Sequence, residues 1–134
     1  MSTLYWHTFS NRSDCSLALA QTLEKQLQQS GLVLLPGGSS PKHLLANLTR
    51  ECAIDWSAIT VSATDERWVP AESTESNYAL LRHALPKAQH LDPRQQQVDP
   101  ELAASQWGQV ITGLLPSRAT LLGMGDDGHF ASLF

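Results

Sequence analysis

The sequence predicts an α/β fold, an open and mostly parallel sheet of Rossmann-like build with helices on both faces. Three observations predict it. Short apolar stretches of strand length, at residues 4–9, 32–35, 59–63 and 119–122, alternate with stretches whose apolar residues recur at helical spacing. Helical connections between successive strands imply parallel pairing through right-handed crossovers. Segments rich in glycine or charge then follow directly after three of these strands, at the sheet edge where such folds bind ligands.

Taken in order, residues 4–9 alternate and carry Tyr5, Trp6 and Phe9, the pattern of a first strand. Ser13 can cap a helix in which Leu19, Leu23 and Leu27 recur at four-residue spacing, and Gly31 ends it. Residues 32–35 form the continuous apolar run expected of a strand buried on both faces, and they lead into Pro36-Gly37-Gly38-Ser39-Ser40-Pro41. Ser40 is a candidate N-cap with Pro41 at the first helical position, and Leu44 and Leu48 give that helix its inner face. Residues 59–63 are the next strand and are followed by Thr64-Asp65-Glu66-Arg67-Trp68. Ser76 starts a helix in which Tyr78, Leu81 and Leu85 share one face, and Pro86 closes it. Residues 86–98 read as a surface connection without function. Asp99 caps a further helix with Pro100 in its first turn, and Ala103, Trp107, Val110, Ile111 and Leu114 fall on one stripe expected to be buried. Pro116 stops it before the last strand, residues 119–122, which leads into Gly123-Met124-Gly125-Asp126-Asp127-Gly128-His129.

A length of 134 residues predicts a single domain over 1–134, and 42% apolar against 16% charged residues excludes a wholly disordered chain. Nine basic against thirteen acidic side chains leave a net charge of -4, which argues against nucleic acid held on a basic surface. An anionic ligand must therefore be gripped locally. Cys15 and Cys52 lack metal-like spacing and read as buried small hydrophobes in a reducing compartment. The N-terminal residues lack the pattern of a signal peptide and no apolar run reaches membrane-spanning length, so the expectation is a cytoplasmic protein without membrane contact. His7, His43, His83 and His90 have no ligand spacing, so no metal is expected, and the four tryptophans read as core anchors.

Three segments carry residues suited to chemistry. Gly37, Gly38, Ser39 and Ser40 offer unobstructed backbone N–H groups, two hydroxyls and the positive end of a helix, an arrangement that binds phosphate or a polyhydroxy ligand. The same residues suit a tight turn and a capped helix with no ligand. Arg67 can pair with a phosphate while Asp65 or Glu66 orients hydroxyls, or the three can form a solvated turn with an internal ion pair. Asn77 reads equally as a helix-start residue and as a ligand contact. In the third segment Asp127 can hold the imidazole of His129, which can then activate water near neutral pH; a His in such a turn is also commonly a plain surface residue.

These motifs, Pro36-Gly37-Gly38-Ser39-Ser40-Pro41, Thr64-Asp65-Glu66-Arg67-Trp68-Val69-Pro70, Ser76-Asn77 and Gly123-Met124-Gly125-Asp126-Asp127-Gly128-His129-Phe130-Ala131-Ser132-Leu133-Phe134, resemble the 6-phosphogluconolactonase family in its own order. The related glucosamine-6-phosphate deaminases carry a catalytic Glu five positions after the His, where this chain has Phe134, and an Asp-Glu-Tyr segment where it has Asp65-Glu66-Arg67. Both positions favour the lactonase over the isomerase or deaminase; a non-catalytic sugar-phosphate binder stays open as the alternative that binds without turnover. The resemblance implies hydrolysis of 6-phospho-D-glucono-1,5-lactone in the oxidative pentose phosphate pathway, without metal or organic cofactor. It implies His129 as general base with Asp127 as its orienter. It places the Gly37, Gly38 and Ser39 turn and Asp65 on the substrate, and Arg67 on its phosphate. Pro36 and Ser40 stand where the family more often has Ser and Thr. The family also continues past this segment into further strands and helices, so the expectation is the N-terminal portion of its domain, with little activity alone and a tendency to self-associate.

Overall fold

The structure, a computed structural model, describes residues 2–134. Its strands β1 (Gly31–Leu35), β2 (Ile59–Ala63), β3 (Gln89–His90) and β4 (Ala119–Thr120) form one parallel sheet in the order β3-β2-β1-β4. Helix α1 (Arg12–Gln26) precedes β1, and α2 (Lys42–Arg50), α3 (Asn77–Ala84) and α4 (Pro100–Leu114) run between the strands, with a 3-10 turn at Trp56–Ala58. The register sets Gly31 against Ile59 and Leu35 against Ala63, while Val33 pairs with Ala119 on the other side of β1. Beyond β4 the ladder persists through Leu121, whose N–H donates to Leu34 O at 2.9 Å.

Alternation along the central strands divides the core between two faces. Val33, Leu35, Ile59, Val61 and Ala63 pack with Leu23 and Leu27 of the α1 region, Leu44, Leu45 and Leu48 of α2, and Leu81 and Leu85 of the α3 region. Each of these larger side chains contributes roughly 1.5–3 kcal/mol on burial. The opposite face holds Leu32 and Ser62, and there Trp107 of α4 donates its indole N–H to Ser62 Oγ at 2.9 Å. Three helices thus cover one face and one covers the other.

Several sequence expectations are corrected. Residues 4–9 form no strand; Leu4, Tyr5 and Trp6 lie exposed, because alternation prepares a strand but only a hydrogen-bonding neighbour makes one, and none runs beside them. Asn11, not Ser13, caps α1, its side chain accepting from Asp14 N at 2.9 Å. Gly31 opens β1 instead of closing the helix, at a φ of 152°. Pro41 occupies the cap position of α2, which starts at Lys42 with no side-chain cap from Ser40. The 86–98 connection contains β3, too short for periodicity to reveal. On the α4 stripe only Ala103 is fully buried, since Trp107, Val110 and Ile111 meet a partly covered sheet face and Leu114 is exposed. Cys15 is exposed and Cys52 half-buried. Of the tryptophans only Trp56 is fully buried; Trp6 is 84% exposed and Trp68 50%. The α3 and α4 starts agree with the reading: Ser76 accepts from Ala79 N at 3.1 Å and Asp99 from Leu102 N at 2.8 Å.

Candidate active site

The segments that follow β1, β2 and β4 converge on one cleft of about 800 Å³. Its position follows from strand order: β2 and β3 lie to one side of β1 and β4 to the other, so the loops leaving β1 and β4 part at a topological switch point. Gly37, Gly38, Ser39, Asp65, Arg67 and His129 all line it. A second groove of about 1060 Å³ between α2 and α3 contains none of these segments.

Two glycines of the candidate set are present for different reasons. At Gly37 a Cβ would stand 1.8 Å from Asn77 Oδ1, so the absent side chain makes room for buried Asn77. Gly38 has a φ of 85° and open space before it, so its need is conformational and its backbone faces the cleft freely. The α2 turn is tied by Lys42 N donating to Ser39 O at 3.3 Å.

The charged segment is built around Glu66. Its carboxylate accepts from the backbone N–H groups of Asn77 at 2.7 Å and Tyr78 at 2.9 Å, from Arg67 N at 2.9 Å and from Ser76 Oγ at 2.9 Å. Desolvation pushes this carboxyl up, yet the bonds from Tyr78, Asn77, Arg67 and Ser76 outweigh it and hold the group below its ordinary range. Glu66 therefore secures the start of α3 and is not a free substrate carboxylate. The helix-start reading of Asn77 holds, its backbone opening α3, and its side chain is engaged within the protein: its amide donates to Asp65 O at 3.0 Å and its Oδ1 accepts from Arg67 Nη1 at 2.9 Å. Arg67 also donates to Glu75 O at 3.0 Å. The internal ion pair open to Arg67 on sequence grounds does not form, because Glu66 takes its cation from Arg94 instead.

In the third segment the His129 ring, through Nδ1, and its backbone N–H both bond Asp127 Oδ1. These bonds, the ring's first, hold the exposed Asp127 carboxyl below its ordinary value. In the neutral tautomer that donates from Nδ1 to this carboxylate, the lone pair is on Nε2. Asp127 stands outside the cleft lining and reaches it only through His129. Gly125 allows this packing, since a Cβ there would meet His129 Cε1 at 2.3 Å. Ser132 Oγ donates to Asp65 Oδ2 at 2.7 Å, joining the glycine-rich turn to the charged segment, and Phe134 lies with its ring 4.8 Å from that of His129.

Sequence reasoning missed Arg94, Ser132, and the two unassigned basic residues of the lining, Arg12 and His43. It also missed Thr64, whose hydroxyl lies buried in the cleft wall without a hydrogen-bond partner among the described residues. Ser132 and Thr64 carried a signal, their places within the glycine-rich and charged motifs. The others depend on which helix start or loop the fold brings to the cleft. Among the described residues no group of three or more His, Cys, Asp or Glu is placed to hold a metal, and no helix is long and apolar enough to cross a membrane.

The model of the family "Glucosamine-6-phosphate isomerases/6-phosphogluconolactonase" matches residues 11–134. The chain belongs to this family. It is 40% identical over 139 residues to a 6-phosphogluconolactonase of Pseudomonas putida, covering 96% of this chain and 57% of that one. It is 41% identical over 124 residues to a 6-phosphogluconolactonase of Pseudomonas aeruginosa, covering 87% and 52%. A crystal structure of a 6-phosphogluconolactonase from Shewanella baltica superposes with a TM-score of 0.83 at 31% identity, over 94% of this chain and 59% of that one. That of the Trypanosoma brucei 6-phosphogluconolactonase gives 0.73 at 28%, over 96% and 62%. The chain thus spans between half and two thirds of the length of these 6-phosphogluconolactonases.

Proposed function

We propose that the cleft hydrolyses 6-phospho-D-glucono-1,5-lactone to 6-phosphogluconate with His129 as general base. The observation that carries this reading is His129, bonded to Asp127 through Nδ1, in a cleft wall shared with Gly38, Ser39, Asp65 and Arg67. A lactone is an activated ester, so a positioned base, donors for the developing oxyanion and a grip on the phosphate suffice. His129 Nε2 takes a proton from water as its oxygen bonds to the lactone C1, and the carbonyl becomes an oxyanion. The C1–ring oxygen bond then breaks, the carbonyl re-forms, and the imidazolium returns the proton to the departing ring oxygen. Asp127 holds the ring through Nδ1 and stabilises the imidazolium. Backbone N–H groups of Gly38 and Ser39 contact the substrate, with Gly37 shaping the turn, while Asp65 binds sugar hydroxyls and Arg67 the phosphate. A sugar phosphate as substrate suits a cytoplasmic reaction.

Acid release from the lactone, corrected for spontaneous hydrolysis, tests the assignment. His129→Ala should lower kcat by about 10²–10⁴ or to the spontaneous background, with folding retained. A variant within about threefold of a catalysing parent removes His129 from the role of base. Ammonia release from glucosamine 6-phosphate would favour the isomerase branch, and saturable binding without turnover a sugar-phosphate sensor.

A further inference from the structure

We propose that Arg94, in the connection between α3 and α4, is the positioning residue of the substrate cleft, clamping the 66–69 loop so that Asp65 and Arg67 are held in place. The inference rests on the lactonase reading of the cleft and adds a residue that does not itself line it. The Arg94 side chain is only 12% exposed. Its Nε donates to Val69 O at 2.6 Å, and its Nη2 to Glu66 Oε2 at 3.2 Å and Ser76 Oγ at 3.0 Å. Nη1 donates to Asp92 Oδ1 at 2.7 Å, which orients the guanidinium from its own loop. A single planar fork therefore grips both ends of the 66–69 loop and the start of α3.

Arg67 lies between the gripped points and Asp65 immediately before them. Without Arg94, Glu66, with a side chain 4% exposed, would keep its hydrogen-bond donors but lose its cationic partner, and Val69 O would lose its donor. The α3 start would survive, because Ser76 and the backbone donors to Glu66 remain. The expected loss is therefore local to the loop. An ammonium is a point charge and cannot make the three-way fork, so lysine should replace Arg94 only in part.

The test compares the parent chain with Arg94→Ala, Arg94→Lys and Arg82→Ala, the last a control that shares the Tyr78 ring with Arg94 but pairs with exposed Glu72. Titration calorimetry with 6-phosphogluconate and with gluconate is read beside amide hydrogen exchange. Arg94→Ala should weaken 6-phosphogluconate by about tenfold and gluconate by under about threefold, since Arg67, the phosphate contact, lies between the gripped points while Asp65, the hydroxyl contact, is held also by Asn77 and Ser132. Amides of Arg67 and Val69 should lose protection while those of β1 and β2 keep theirs. Arg94→Lys should fall between, and Arg82→Ala should match the parent. Binding of both sugar acids within about twofold of the parent overturns the proposal, and so does equal weakening of both with lost protection throughout the sheet. If the parent binds neither, the lactonase reading fails by itself. Exchange then decides the clamp: selective loss at Arg67 and Val69 supports it, and unchanged protection there overturns it.

Discussion

A Cβ at Gly37 would collide with Asn77 Oδ1, the atom that accepts from the Arg67 guanidinium. Gly37→Ala should displace the Asn77 amide and cost about 1–3 kcal/mol, as overpacking of a filled site does. Gly38→Ala meets no neighbour and should cost only the left-handed backbone penalty, about 1–2 kcal/mol. Urea denaturation measures both, and crystallography or NMR of Gly37→Ala should show Arg67 released from Asn77. An unmoved Asn77 with stability within about 0.5 kcal/mol of the parent would contradict the argument. Both glycines are legible as a turn from sequence. Why Gly37 must be glycine is not, because the obstructing amide comes from forty residues further along.

Among the elements, α3 depends most on a residue outside it. Glu66 accepts two of its first N–H groups and the Ser76 hydroxyl, at the end of the helix where the dipole favours an anion. Glu66→Gln keeps the shape but removes the charge and should cost about 1–3 kcal/mol. The pH dependence follows from its depressed carboxyl value. An unfolded Glu titrates near about 4.3. The stability that Glu66 contributes is fully present above that value and is lost as pH falls through the lower folded value. Urea midpoints measured from neutral pH down to about 3 should show the parent losing more stability on acidification than Glu66→Gln. Identical midpoints and identical acid slopes would contradict the role. From sequence, Ser76 is a visible cap and Glu66 an ordinary turn charge. Their joint action needs the 64–70 loop folded back over α3.

For the whole molecule, the two faces of the sheet are unequally covered. Beyond α4 the second face has no helix among the described residues, and Leu102, Leu114, Leu115 and Leu122 are exposed, as are Leu4, Tyr5 and Trp6 near the N-terminus. Edge strand β4 pairs over only two residues. Apolar surface and an open edge of this kind favour association between copies. Purified chain should therefore elute from size-exclusion chromatography as an oligomer, shifting toward monomer on dilution. A monodisperse monomer across micromolar concentrations would contradict this expectation.

Sequence by itself determined the α/β class, both central strands, the inner faces of α1, α2 and α3, the caps Ser76 and Asp99, and which three segments meet at one cleft. These are local properties: a period of two or of 3.6, a short polar side chain before a helix, glycines after an apolar run. Tertiary structure alone decided that residues 4–9 remain unpaired, that β3 forms from two residues, and that Trp68 faces solvent while Trp56 is buried. It also decided that Glu66 pairs with Arg94 and not Arg67, leaving Arg67 at the cleft. The physical reason is common to all of these. Strand formation, burial and ion pairing are completed by a partner, and the partner's position depends on how distant parts of the chain pack, which no local pattern specifies.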